Sequence, residues 1–498
     1  MTRDCPVTCS PAGPSPTRLW SVTIAPERER THWTGFVLSC VILALLLAVL
    51  LTAPAAAEDV LIFGEPDPDE PEPPEAEAAE MPSPWDTRIE RGLLELGQLA
   101  ANRRTADFSH HGRAEFRAGR TLAGDWELRL GARLDGHWQG GGERSGVSRL
   151  DADYAENWLR YRGRDWRLTV GTQRVLWGRV DEIPPTDRLS TKDLTRFALD
   201  EMVDRRRTNP AVRLEFYQAG WAVDLLFLPL FRPAELPDRD SVWHPVDRER
   251  GRLFGLPADP ALAPFIRDAR IDDDVSGDGD GGGGVRLSRG GAGADFALTL
   301  QRARHSQPHY RVDDATRAAL LGAGPPPDRP TLHAEHPRTW VVGGDLATEL
   351  GAWTLRAEAA WLSDVPVTRA DDLRQRTVAG FDWVLGVEGF PGDRDFRTTL
   401  QVAGQHLDGA GGVLEAREAY YLTGELENPF ADHQWRARVR FSAGLDRRDV
   451  YLNPELAWIG FEPHEFYAGL HWLDGRDDTA GGFYRDNRML VLGWRGQF

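Results

Sequence analysis

In the stretch Trp126-Glu127-Leu128-Arg129-Leu130-Gly131-Ala132-Arg133-Leu134-Asp135 every even-numbered residue is apolar, and every odd-numbered one except Gly131 is charged. A period of two sends successive side chains to opposite faces of a strand, whereas helical spacing would scatter those charges around the cylinder. The alternation returns at 113–118, 166–169, 212–217, 353–361, 396–402, 435–441 and 466–472. One face is apolar each time. The other is dominated by arginine, which is too costly for a packed protein core. A sandwich would share its inner faces between two layers, and no second apolar pattern is present to cover these sheets. The alternation therefore predicts an all-β fold, a closed antiparallel transmembrane barrel with lipid outside and water inside.

The final segment, Met489 to Phe498, carries the same signature: Leu490, Leu492, Trp494 and Phe498 share one face, Arg495 and Gln497 the other. A terminal aromatic closing such a strand resembles the C-terminal signal of bacterial outer-membrane barrels. That resemblance implies insertion into outer-membrane lipid of a Gram-negative bacterium by the barrel assembly machinery, acting on the strand that ends in Phe498. Turn signals alternate with long connections. Short ones fall near Leu122-Ala123-Gly124, Gly163-Arg164, Ala219-Gly220, Gly291-Ala292-Gly293, Leu350-Gly351, Pro391-Gly392-Asp393 and Glu462-Pro463, and long ones at 177–210, 231–284, 305–338 and 474–486. The count is about 18 strands, with about 16 as the alternative, because an even number keeps both termini periplasmic. Trp126, Trp166, Trp221, Trp353, Trp435 and Trp494 each sit near a turn or end, where an aromatic girdle belongs. Between Ile89 and Leu99, Leu93, Leu96 and Leu99 fit a short helix as well as a first strand.

A mean hydropathy of −0.44 looks soluble, but barrels hide from hydropathy because every second strand residue is polar. The one continuous apolar run, Phe36 to Leu51, follows Arg28 and Arg30 and precedes Ala55-Ala56-Ala57. It reads as a signal peptide over 1–57 with a long leading region, too short for a comfortable span. Cys5, Cys9 and Cys40 all precede the cleavage point, so the mature chain has no disulfide or cysteine metal site. Part of the net charge of −18 comes from 58–84, rich in Glu, Asp and Pro. That composition predicts a disordered periplasmic tail, with a basic lumen or a periplasmic protein as its possible partner. The barrel itself occupies 85–498.

The most specific internal passage is Val170 to Asp187. A strand leaves through Gln173 and Trp177 into a connection of about 30 residues, longer than a simple turn requires. Within it Ser190 is placed to cap a short helix carrying Leu194, Phe197, Ala198 and Met202 on one side, ahead of Arg205, Arg206 and Arg207. A structured loop over 177–210 either folds inward and narrows a pore or packs on the rim. The stretch Gly171-x-Gln173-x-x-x-Trp177-Gly178-x-x-Asp181, with Pro185-x-Asp187, Phe227-Leu228-Pro229-x-Phe231-x-Pro233 and Leu236-Pro237, resembles a group of outer-membrane channel proteins that is similar in turn to the alginate-export porins. The resemblance covers most of the mature chain as architecture and about 70 residues as motif. It departs from the family at Leu189-Ser190-Thr191-Lys192-Asp193, where Asn-Pro is usual. It implies a channel or porin that passes or exports small hydrophilic or anionic solutes, saccharides among them, by passive diffusion.

The residues expected to line the pore or its constriction are Arg129, Arg133, Arg167, Arg213, Arg356, Arg397, Arg436, Arg438 and Arg440 on the strands, with Arg179, Asp181 and Asp187 on the loop. Glu115, Glu127, Asp135, Glu215 and Glu358 share the lumenal face. Two outcomes follow from such a set. Cross-strand ion pairs rigidify a wide barrel, whereas an unpaired row such as Arg436, Arg438 and Arg440 concentrates anions.

No motif calls for a cofactor, a metal or a nucleic-acid partner. Gly277-Asp278-Gly279-Asp280-Gly281 lacks the following Lys of a phosphate loop. Asp272, Asp273, Asp274, Asp278 and Asp280 lack the terminal Glu of a calcium loop. His406 and His471 have no assignable Ser partner, so a barrel lipase is disfavoured and no enzyme is expected. The remaining alternative is a structural or assembly component of an envelope export complex.

Overall fold

The computed structural model describes residues 84–498 except 101–105, 123, 144–145, 198, 276–278, 292 and 393–394. The expected signal peptide and nearly all of the acidic tail lie outside the described residues, as do Ala123, Ala198, Gly277, Asp278, Ala292 and Asp393.

The described strands form one closed antiparallel sheet. Its first strand, Asp86–Leu99, pairs on one side with Phe108–Thr121 and on the other with the last, Met489–Gln497. Segments Val147–Tyr154 and Asn157–Arg162 both pair with Trp126–Gly140 and are two pieces of one interrupted strand. Counting them once reduces the sheet of 19 segments to 18 strands. Gly131 explains the interruption and is also the exception in the charged alternation. A Cβ there would lie 3.0 Å from the Ala155 Cβ and 3.1 Å from the Glu156 carbonyl. With that space open, Asn157 fills the gap in the ladder, donating to the Gly131 carbonyl at 2.8 Å and accepting from the Gly131 N–H at 3.0 Å.

The alternation resolves into an apolar exterior and a charged interior. Leu490 and Leu492 are each 63% exposed, while Met489 and Val491 between them point inward and are buried. Phe116, Leu130, Leu298, Val342, Leu385 and Leu456 face outward in the same way, and Arg113, Glu115, Asp135, Gln301, Asp345 and Glu455 inward. Water would penalise such an outer surface and lipid favours it. The molecule is a membrane-spanning barrel.

Connections are short at one end, as at Ala219-Gly220, and long at the other, where 174–208, 229–281 and 305–337 lie. Both ends of the sheet, Asp86 and Gln497, sit on the short-turn side. Aromatics mark that rim: Trp126 packs on Tyr161 at 5.0 Å, Tyr161 on Trp166 at 5.1 Å, and Trp221 on Phe296 at 5.7 Å.

Two local expectations needed deciding by the structure. Ile89–Leu99 is strand, because Leu93 and Leu99 face inward while Leu96 faces out, a split that helical spacing mimics over six residues. The helix expected after Ser190 is absent among the described residues, which run as turns and two short strands, Thr191–Lys192 and Arg206–Arg207. Ser190 donates its hydroxyl to Asp187 at 2.7 Å rather than capping, and Phe197 sits at φ 54°, outside helical space.

The long loops build a cap. Arg270–Asp272 pairs in parallel with Thr331–Glu335, which pairs antiparallel with His309–Val312. Asp313 caps the helix Asp314–Leu320 by accepting from the N–H groups of Ala315 and Thr316, both at 3.0 Å. Val246, Ala269, Ile271 and Leu332 form its buried apolar centre.

Candidate functional site: the inward segment 174–208

The connection 174–208 reaches side chains on strands all around the barrel. At its start Trp177 Nε1 donates to Asp224 at 2.9 Å. The backbone then passes Glu358, whose carboxylate accepts from the N–H groups of Arg179 (2.9 Å), Val180 (3.3 Å) and Thr186 (2.7 Å) and from the Thr186 hydroxyl (2.8 Å). Gly178 makes this approach possible. It has φ 125°, and a Cβ there would stand 2.8 Å from one Glu358 oxygen and 2.9 Å from the other. The Trp177-Gly178 pair of the sequence motif is thus the point where the loop turns onto the wall.

Further along, Arg179 bonds Asp345 at 2.6 Å and Asp295 at 3.1 Å. Arg188 reaches Asp382, Arg196 reaches Glu95, and Asp204 reaches Arg91. Glu201 takes Arg438 at 2.6 Å. Asp193 is the hub on one side of the barrel: Arg133 lies at 2.5 Å, Arg207 at 2.9 Å and Arg113 at 3.8 Å. Opposite charges held this close and this dry are mutually required, since either alone would be an uncompensated buried ion.

The structure places every strand arginine expected in the lumen on the inner face, in company with carboxylates. Arg129 bonds Glu90 at 2.7 Å, Arg167 bonds Glu215 at 2.6 Å, and Arg213 bonds Asp224 at 2.7 Å. Arg356 pairs with Glu388 and lies 3.3 Å from Asp181, and Arg397 bonds Glu425 at 3.2 Å. The row Arg436, Arg438, Arg440 is not bare. Arg436 bonds Glu465 at 2.6 Å, Arg438 bonds Glu455 at 3.0 Å, and Arg440 donates to the carbonyls of Leu199 and Asp200 and lies over Tyr451. On the loop, Asp187 accepts from Arg206 at 2.7 Å and from Ser190, whereas half-exposed Asp181 also meets Gln401 at 3.2 Å. Partial withdrawal from water lifts the Asp181 carboxyl above its ordinary value against the pull of Arg356. Burial, with Arg188 and Arg206 nearby, presses the Lys192 ammonium down to about 7.

Sequence reasoning missed Asp193, Arg196, Asp200, Glu201 and Asp204 as anchors. Their signal was charge density: five charged residues fall within 193–204, more than a solvent-facing helix side in a connection requires. The other motifs are also accounted for. Asp272 pairs with His333 at 3.0 Å, Asp273 with Arg239 at 3.2 Å and Asp280 with Arg338 at 2.8 Å, so these carboxylates are divided among three partners. His406 meets Glu418 at 3.2 Å and buried His471 meets Tyr451 at 2.9 Å.

No family model matches the chain, and no curated protein matches it. Solved structures similar in outline include OccAB1 of Acinetobacter baumannii (7% identity, 83% of this chain and 96% of that one, TM-score 0.47). OmpT, an outer membrane protein of Vibrio cholerae solved in a trimer form, covers 84% of this chain and 100% of its own at 8% identity and TM-score 0.41. OmpF of Salmonella typhi, in complex with daunomycin, covers 83% and 97% at 11% identity and TM-score 0.40. Nothing about solute or assembly is carried over from them.

Proposed function

We propose that this barrel is a passive channel for small hydrophilic solutes, with the segment 174–208 as its constriction. The observation that carries this reading is the tethering of that one segment to opposite walls, through Asp224, Glu358, Asp382, Glu95 and Arg438, inside a barrel whose outside is made for lipid. A lumen lined by alternating guanidinium and carboxylate groups offers donors and acceptors in quantity to hydroxyl-bearing or anionic solutes, the saccharide class implied by the resemblance to alginate-export porins. Because most of the arginines are already paired, the preference for anions over cations is modest, and shape at the constriction does the larger part of the selection.

Single-channel recording of the refolded mature chain in planar bilayers tests this, with the reversal potential in a salt gradient as the selectivity readout. The expected result is an open conducting channel with weak anion preference. Glu358→Ala, which removes the acceptor for four loop donors, raises the conductance and its noise. A folded barrel that never conducts would overturn the channel, and an unchanged conductance in Glu358→Ala would remove 174–208 from the permeation path.

A further inference from the structure

A cavity of about 390 Å³ lies within the loop cap, lined by Phe254, Ile266, Leu320 and Leu332 of the cap and by Phe197 of the inward segment. The cavity is partly open to solvent and mostly apolar in its lining. An engineered apolar cavity of about 150 Å³ already binds benzene, and ligand pockets begin at roughly 300 Å³. Water has little to bond to along most of this wall. Several polar groups gather in one place: Thr368 N–H holds Glu415 at 2.8 Å, and His309 Nε2 lies 3.2 Å from the Thr368 hydroxyl and 3.7 Å from Glu415. Elsewhere on the lining, the buried Tyr310 hydroxyl has no partner among the described residues. A buried donor left unsatisfied is expensive, as is an unfilled apolar space.

A ligand with an apolar body and one hydrogen-bonding head removes both penalties. We propose that this cavity is a binding site for a neutral, apolar or aromatic small molecule of naphthol size or somewhat larger, bearing a single hydroxyl or carbonyl that the Tyr310 hydroxyl orients. The site adjoins the inward segment through Phe197, but its ligand differs in kind from the polar solutes assigned to the channel.

The test is isothermal titration of 1-naphthol into the full mature chain in nanodiscs, with the heat of empty nanodiscs subtracted. Saturable one-to-one binding is expected. Leu320→Trp and Ile266→Trp, which fill the space from two different elements, should each weaken it at least tenfold while the barrel keeps its heat-modifiable migration. Tyr310→Phe should weaken it severalfold. Heat no different from empty nanodiscs, or equal binding by both filled variants, would overturn the site. Either failure leaves conductance untouched and so is distinguishable from failure of the channel.

Discussion

Two regions built from long connections enter or cover the same barrel mouth, and different physics dominates in each. The inward segment 174–208 is fastened by charge: Asp193, Arg196, Glu201 and Asp204 each find an ion-pair partner on a wall strand. The cap is fastened by apolar burial around Val246, Ile271 and Leu332 and retains an unfilled apolar cavity. Buried ion pairs are directional and fail abruptly when one partner is removed. Apolar packing is tolerant, and a cavity within it leaves room for a guest. A constriction needs the first property and a binding pocket the second.

The sharpest way to break the contrast is Asp193→Ala. It removes one of the carboxylates that buried Arg133 and Arg207 hold, leaving them Asp135 and Asp153, and the expected loss is about 1–3 kcal/mol. Guanidinium unfolding in lipid vesicles measures it. Raising salt to 1 M should change the wild-type value little, because pairs at 1–4% side-chain exposure are shielded from counterions. A loss below 1 kcal/mol would mean that the hub is not a fastening point.

Leu332→Ala probes the other region. Leu332 is 7% exposed among Val246, Ala269 and Ile271, and truncation should cost about 2–4 kcal/mol. The effect is local: faster proteolysis within 240–256 and 309–335, with single-channel conductance unchanged. Altered conductance would show that cap and constriction are one mechanical unit.

How far the sequence discloses this arrangement differs between the same two regions. The wall is legible, because a period of two in Trp126 to Asp135 admits a single sheet face for each residue, and the observed strand Trp126–Gly140 follows it. Lumenal placement of Arg129, Arg213 and Arg438 follows from parity alone. Their partners are not legible, since Glu90, Asp224 and Glu201 lie 39, 11 and 237 residues away, and which of them meet is set by strand register and by the docking of the inward segment. The segment 188–205 misleads for a related reason. Leu194, Phe197 and Met202 have helical spacing, but wall charges outcompete local helix formation and pull the chain into turns.

The smallest expected effect is in pH, where the two regions should respond in separate windows. In the cap, burial holds His244 and His305 down to about 4 each. Once the cap opens, these imidazoles return to an ordinary value near 6.5 and take up protons that the closed cap excludes. Closure is therefore fully favoured above about 6.5 and weakens as pH falls towards 4. In the inward segment Lys192 sits at about 7 against an ordinary 10.5. The docked loop sheds a proton that the undocked loop keeps, so docking tightens as pH rises from 7 to 10.5 and is level at its weakest below about 7. Amide hydrogen exchange, corrected for intrinsic rates and read separately on 188–207 and 240–256, should show the cap losing protection in acid and the inward segment gaining it in mild alkali. Lys192→Met should abolish the second change and leave the first. If both segments gained and lost protection together in one window, charge and apolar burial would not be independent fastenings, and the division between constriction and pocket would fall.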